Sequence, residues 1–343
     1  MTNHNPTTAL FFWDVRDELQ DYLQEGLKDY SEVELLFPEQ TDEETLLSLA
    51  PQADILVGWR PSEKLLATAE NLGLFINPGA GVQHLTDLFR KVTQDRDITL
   101  VNGHGNSYFT AQHAVALLLA LTNKVVPHHN WLVAKKWRKR DADAKSIPLR
   151  NRKIGLLGYG AVNQKVHRFL SGFNVAFHVL KRSWDRKRVE KYPTTITKYT
   201  PDKLSAFLKV IDVLIIAVPL TSETEGLIGE KEFQLLGSDS FIVNMSRGQV
   251  IQEKAFYQAL KNNHIAGAAI DVWYNYRPEP DPDGGKFPSK YPFYELDNVV
   301  LSPHRGASPM DDLKRWDEVI ENISRYARGE KEFLNEVNLE LEY

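Results

Sequence analysis

The stretch Lys153-Ile154-Gly155-Leu156-Leu157-Gly158-Tyr159-Gly160-Ala161-Val162-Asn163 constrains the fold of this chain more than any other. An apolar run breaks into a glycine turn and resumes as the amphipathic segment Gln164 to Leu170, which reads as strand, tight turn, helix. Gly158 permits the turn, and Gly160 lets a pyrophosphate approach the backbone at a helix N-terminus, where free N–H groups and the dipole favour anions. Asn163 stands where the G-x-G-x-x-G spacing has its third glycine, which weakens the fingerprint. On this reading Gly158, Tyr159, Gly160, Ala161, Val162 and Asn163 form the cofactor turn.

A chain of 343 residues is long for one core, and two domains are the default expectation. A formal charge of −5 gives no electrostatic footprint for nucleic acid. With no cysteine, disulfides and thiolate sites are excluded; no metal site is expected. The start MTNHNPTTALFFWD lacks a basic n-region, and no stretch approaches the roughly 20 apolar residues of a membrane span. The expectation is a cytoplasmic protein with no nucleic-acid or membrane partner.

Residues 9–13, 33–37, 55–57 and 74–76 read as strands, with helical spacing over Asp14 to Tyr30 and Glu43 to Ala50. That alternation implies a small parallel sheet in the first hundred residues. Thr110 to Val126 reads as one helix, apolar around most of its circumference, buried between domains or in an oligomer interface. The basic stretch Lys135 to Arg140 reads as a solvated face. After the glycine turn, Val175 to Leu180 reads as a second strand ending at Lys181-Arg182-Ser183, where a dinucleotide fold meets the adenosine ribose. Two cations and a hydroxyl there suit a 2′-phosphate, so NADP is expected, with NAD as the alternative. Further strands at 213–218, 241–244, 266–272 and 299–301 lead into Pro219, Arg247, Asp271 and His304. Ligands bind beyond such strand ends.

With these residues assembled, the chain resembles the D-isomer-specific 2-hydroxyacid dehydrogenases, which include formate, glycerate and phosphoglycerate dehydrogenases. The resemblance runs from about Asn77 to Gly306 and is clearest over IGLLGYGAVNQKV, DVLIIAVPLTSETEGLIG, IVNMSRGQVIQEKAFYQAL, AGAAIDVW and VVLSPHRGA. It implies an α/β protein of two Rossmann-like doubly wound domains, a cofactor domain (104–305) inserted into a flavodoxin-like substrate domain (1–103 and 306–343). It implies hydride transfer between a nicotinamide and a small 2-keto acid or D-2-hydroxy acid, of the glyoxylate or hydroxypyruvate kind, in a homodimer. Arg247 would hold the keto acid, a planar fork suiting bidentate carboxylate binding. His304 would be the acid/base. The backbone of Ala80, Gly81 and Val82 resembles the loop that binds the substrate carboxylate. Asp271 resembles a residue on the carboxamide side of the cofactor, and Val218, Pro219, Thr224 and Met245 complete its lining.

One departure stands out. The family carries a Glu five residues after the Asp of this motif, to support the charged His; here that position is Tyr276, and the nearest carboxylate is Glu279. Either Glu279 shifts into place, or the phenol substitutes, or the dyad is incomplete. A neutral partner would stabilise imidazolium less than a carboxylate does. The departure keeps open a second reading, a dinucleotide-binding co-repressor or other non-catalytic sensor of the same fold.

Overall fold

A computed structural model of the chain describes residues 6–138, 145–184, 191–307 and 312–343. The chain divides into two units, one made of Met1–Asn106 and Pro309–Tyr343, the other of Ser107–Ser308.

In the first unit the strands β1 (Thr7–Phe11), β2 (Val33–Leu36), β3 (Ile55–Val57), β4 (Leu74–Asn77) and β5 (Thr99–Asn102) alternate with helices α1 (Asp17–Leu27), α2 (Glu43–Leu49), α3 (Glu63–Thr68) and α4 (Thr86–Val92). Among the described residues the sheet runs β2-β1-β3-β4-β5, all parallel, which is the flavodoxin order. Every residue of β3 and β4 is buried, because helices cover both faces of a parallel sheet. α1 buries Leu19, Leu23 and Leu27, one stripe at four-residue spacing. Asp42 and Ser62 cap α2 and α3 by accepting from the N–H of Thr45 and Leu65. The returning helix Asp317–Ala327 sets Val319 and Ile323 into the same cluster as Phe11 and Leu23.

The second unit opens with α5 (Ser107–Thr122) and α6 (Val125–Val133). There follow β6 (Lys153–Leu157), α7 (Ala161–Leu170), β7 (Ala176–Leu180), β8 (Ile196–Tyr199), α8 (Leu204–Leu208), β9 (Val213–Ile216), α9 (Glu230–Leu236), β10 (Phe241–Asn244), α10 (Glu253–Lys261), β11 (Gly267–Ile270) and β12 (Val299–Leu301). The parallel order among the described residues is β12-β11-β10-β9-β6-β7-β8. Strand order reverses between β6 and β9, the point where doubly wound sheets hold their ligands.

The single helix expected over Thr110 to Val126 is two helices bent by 64°. Lys124, at φ 55°, adopts the left-handed conformation, which an L-residue helix cannot continue through. The apolar circumference of α5 is spent inside its own unit: Ala111, Ala114, Leu117, Leu118 and Leu121 share a core with Leu156, Val166 and Val243. Among the described residues no single helix is long and apolar enough to cross a membrane, although the bent pair α5 and α6 would pass together on length and composition. Of the basic stretch, Lys135 to Arg138 is exposed, and Lys139 and Arg140 lie outside the described residues.

Candidate active site

At the carboxyl end of β6 the chain turns through Gly158, whose φ of 82° is left-handed. A Cβ there would lie 2.6 Å from the Ala217 carbonyl oxygen, so the turn excludes every other residue. At Gly160, the N-cap of α7, a Cβ would meet nothing within 4 Å, and no side chain caps the helix. Uncapped first-turn N–H groups beside open space fit a pyrophosphate. Asn163 explains the missing third glycine. Its buried amide donates to the carbonyls of Leu157 at 3.1 Å and Gly158 at 2.8 Å, bracing strand and turn together. Tyr159 is buried and its hydroxyl meets His167 Nδ1 at 2.7 Å, so this residue offers the turn its backbone.

Lys181, Arg182 and Ser183 follow β7 as expected. The Lys181 ammonium sits 4.3 Å from the centre of the Trp184 ring, and Arg182 Nη2 pairs with Glu223 at 3.2 Å. Both partners of that pair are solvent-exposed, where such bridges contribute little. Beyond β9, Thr224 donates to the Pro219 carbonyl at 2.7 Å and accepts from the N–H of Thr221 at 2.9 Å, fixing the loop that begins at Val218.

The ends of β10, β11 and β12 bring the remaining residues together. Met245 is buried and Arg247 partly so. One Arg247 donor goes to the Ser246 carbonyl at 2.7 Å, and among the described residues the guanidinium makes no other hydrogen bond. Burial pushes the Arg247 pKa down, and Tyr276 opposes that. The Arg247 loop lies close on the next: a Cβ at Gly248 would lie 2.5 Å from the Trp273 carbonyl oxygen.

Asp271, 2% exposed, is committed to the loop that carries His304. Its Oδ1 accepts from the Ser302 hydroxyl and from the Arg305 N–H at 2.7 Å, and its Oδ2 accepts from the Gly306 N–H at 2.9 Å. The geometry gives Asp271 the task of holding this loop. Trp273 adds a second tie, its indole N–H donating to the Ser302 carbonyl at 2.8 Å. Thus pinned, His304 adopts φ 56°, a left-handed conformation uncommon outside glycine and one that clusters at functional sites.

His304 Nδ1 lies 2.6 Å from the Tyr276 hydroxyl. Of the three options left by the motif, the one the geometry matches is a phenol beside His304. Glu279 is a correction, being exposed and making no hydrogen bond among the described residues, because the chain reaches His304 three residues earlier. Burial lowers the His304 pKa, the Asp271 charge opposes that, and the Arg247 charge adds to it. Tyr276 is pushed up, chiefly by burial.

The pattern missed His113, on α5. Its Nε2 meets the Ser302 hydroxyl at 2.9 Å and lies 3.5 Å from Asp271 Oδ1, so it supports the same loop. The signal was the single histidine of α5, a helix with no Asp, Glu, Lys or Arg.

In the first unit, the loop after β4 turns its carbonyls inward. The Asn77 amide donates to the carbonyls of Gly79 and Gly81, and Asn102 donates to Ala80 at 2.8 Å. The N–H groups of Ala80, Gly81 and Val82 donate to no group among the described residues, which suits a carboxylate.

Comparison with known proteins adds the following. The family model described as D-isomer specific 2-hydroxyacid dehydrogenase, NAD binding domain, matches residues 115–306. A glyoxylate reductase of Pyrococcus furiosus is 31% identical over 89% of this chain and 88% of its own length. A D-3-phosphoglycerate dehydrogenase of Archaeoglobus fulgidus is 30% identical over 78% of this chain but only 47% of its own length, so the chain spans about half of that relative. Among solved structures, a D-isomer specific 2-hydroxyacid dehydrogenase of Xanthobacter autotrophicus bound to NADPH matches the fold with a TM-score of 0.76. It covers 98% of this chain and 100% of its own, at 22% identity.

Proposed function

We propose that this chain, which belongs to the D-isomer specific 2-hydroxyacid dehydrogenase family, reduces a small 2-keto acid of the glyoxylate or hydroxypyruvate class to the D-2-hydroxy acid, with NADPH preferred. The family gives the coarse activity, an NAD(P)-dependent oxidoreductase. The observation that carries the finer reading is Arg247: a partly buried guanidinium with one donor on the Ser246 carbonyl and the rest uncommitted among the described residues, in the cluster that holds His304.

In the reductive direction Arg247 donates to the substrate's carboxylate and keto oxygens, orienting them and stabilising negative charge as it develops on the keto oxygen. His304, protonated, gives a proton to that oxygen from Nε2, the ring nitrogen left free by Tyr276. NADPH, when bound, supplies the hydride. In the reverse direction neutral His304 accepts the hydroxyl proton. The N–H groups of Ala80, Gly81 and Val82, which donate to no group among the described residues, fit the carboxylate-binding role that the resemblance implies for them.

Preference for NADPH rests on Lys181, Arg182 and Ser183 at the end of β7, two cations and a hydroxyl for a 2′-phosphate, with Arg182 shared with the exposed Glu223. Assembly as a homodimer is supported by α6 and its sequel, where Val125, Leu132, Val133 and Trp137 are 53%, 59%, 69% and 78% exposed. Large apolar side chains left exposed together on one helix and its sequel are the kind of surface that interfaces cover. The direct test is the rate of cofactor oxidation with glyoxylate, hydroxypyruvate, pyruvate and longer 2-keto acids, each with NADH and NADPH, and chiral analysis of the product. An L-product, or no turnover across the panel, would overturn this reading.

A further inference from the structure

β4 reads Leu-Phe-Ile-Asn and β5 reads Thr-Leu-Val-Asn, so each apolar strand ends in an asparagine. Asn77 pairs in register with Asn102, which sets two amides side by side at the carboxyl end of the first unit's sheet. They are 0% and 7% exposed. A buried amide costs stability unless its donors are used, and here both amides are used on one loop. Asn77 donates to the Gly79 carbonyl and, at 3.4 Å, to that of Gly81; Asn102 donates to the Ala80 carbonyl at 2.8 Å. The Asn77 amide has one favourable orientation, since its reverse would set an oxygen against two carbonyl oxygens.

Three consecutive carbonyls are thus tied back to the end of the sheet. A trans peptide is planar, and its N–H points opposite to its C=O. Holding the carbonyls of Gly79, Ala80 and Gly81 therefore turns the N–H groups of Ala80, Gly81 and Val82 away from the asparagines. None of these three donates to a group among the described residues. Gly103 braces the arrangement: its N–H donates to the Asn77 carbonyl at 2.8 Å and reaches that of Gly79 at 3.3 Å. A Cβ at Gly103 would lie 2.5 Å from the Pro78 carbonyl oxygen, so the loop sits directly on this backbone.

We infer that Asn77 and Asn102 are the positioning residues of a substrate-carboxylate site: by holding three carbonyls, they aim three successive N–H groups at the carboxylate of the 2-keto acid. Each acts through the loop. The inference rests on the proposed carboxylate-binding role of Ala80, Gly81 and Val82, and it gives that role a cause in the side chains beneath. A carboxylate keeps its charge throughout hydride transfer, so the loop binds substrate and transition state alike. Losing the aim therefore raises KM and leaves kcat nearly unchanged, in contrast to losing His304.

The test replaces each amide by leucine, which keeps the volume and removes the donors. In Asn77→Leu and Asn102→Leu, KM for the best 2-keto acid should rise about tenfold to a hundredfold, the scale of one or two hydrogen bonds to a charged group. kcat should stay within about threefold, and KM for NADPH should not change. Asn102→Leu removes a single bond to the loop, so it decides the question where Asn77→Leu fails to fold. Binding is also read without turnover, by calorimetric titration of the NADPH-saturated chain with oxamate, an unreactive analogue carrying an amide beside its carboxylate. The native chain should bind oxamate, and the variants at least about tenfold more weakly. KM and oxamate affinity within about twofold of native in a folded Asn102→Leu, or a loss confined to kcat, would overturn the inference. A native chain that binds oxamate but reduces no 2-keto acid would overturn the proposed reaction, leaving the oxamate affinities to judge the loop. Neither oxamate binding nor turnover would overturn both.

Discussion

Replacing Asp271 by Asn asks whether one buried carboxylate holds the loop of His304. The side chain is 2% exposed and receives the Ser302 hydroxyl, the Arg305 N–H and the Gly306 N–H. Asparagine keeps one acceptor oxygen and turns the other into a donor. With the oxygen kept at the Oδ1 position, the Gly306 N–H faces an N–H, and a hydrogen bond to a charged group worth about 1.5–3 kcal/mol is lost. A stranded buried donor adds to that, for a total of about 3 kcal/mol. For a unit of this size about 2–4 °C accompanies each kcal/mol, so calorimetry should show the transition lowered by about 6–12 °C at pH 7. The reductive kcat should fall at least about tenfold, since His304 rides on this loop. The sign with pH is set by the carboxylate. Burial alone would raise its pKa, but hydrogen bonds from His113, Ser302, Arg305 and Gly306 outweigh that and hold it below the ordinary 3.8. Its contribution is therefore complete above 3.8 and fades as pH falls through the lower folded value, so the two proteins should converge only in strong acid. A variant within 2 °C of the native protein and fully active would refute the loop-holding role.

The remaining expectations concern the cofactor and the assembly. Gly160→Ala should leave stability within about 1 kcal/mol, because a Cβ there meets nothing, yet weaken dinucleotide binding at least about tenfold by fluorescence titration. Lys181→Asp with Arg182→Ala should reverse a preference for NADPH of about tenfold to a hundredfold in kcat/KM, each charge-assisted contact contributing about 1–2 kcal/mol. Leu132→Asp with Trp137→Asp should convert a dimer to a monomer by light scattering at micromolar concentration, and a native monomer would remove the basis for an interface on α6.

Where sequence and structure agree, the reason is local. Gly158 is demanded by a turn only a few residues long, and the apolar strands of both units are continuous because parallel sheets are covered on both faces. Arg247 and His304 were legible because each stands just past a strand end, and strand ends define the ligand side of such a sheet. What escaped is decided by distance in space. The reach of Tyr276 to His304, in preference to Glu279, depends on how the loop from Trp273 folds back on itself. Asn163 reads as a defect in a glycine motif until its amide is seen holding two carbonyls. The break at Lys124 is announced only by the short polar run Thr122-Asn123-Lys124 and by Pro127, whose ring and missing N–H fit the first turn of a new helix better than the middle of one long helix.

The central claim is that Arg247 binds and polarises a 2-keto acid for reduction. It is tested most directly by steady-state kcat/KM for the best 2-keto acid with NADPH in the native chain and in Arg247→Ala. The account predicts a fall of at least about a hundredfold, the scale for losing a charged donor that stabilises the transition state, with cofactor affinity unchanged. An Arg247→Ala enzyme that keeps its kcat/KM within about twofold of native would contradict it.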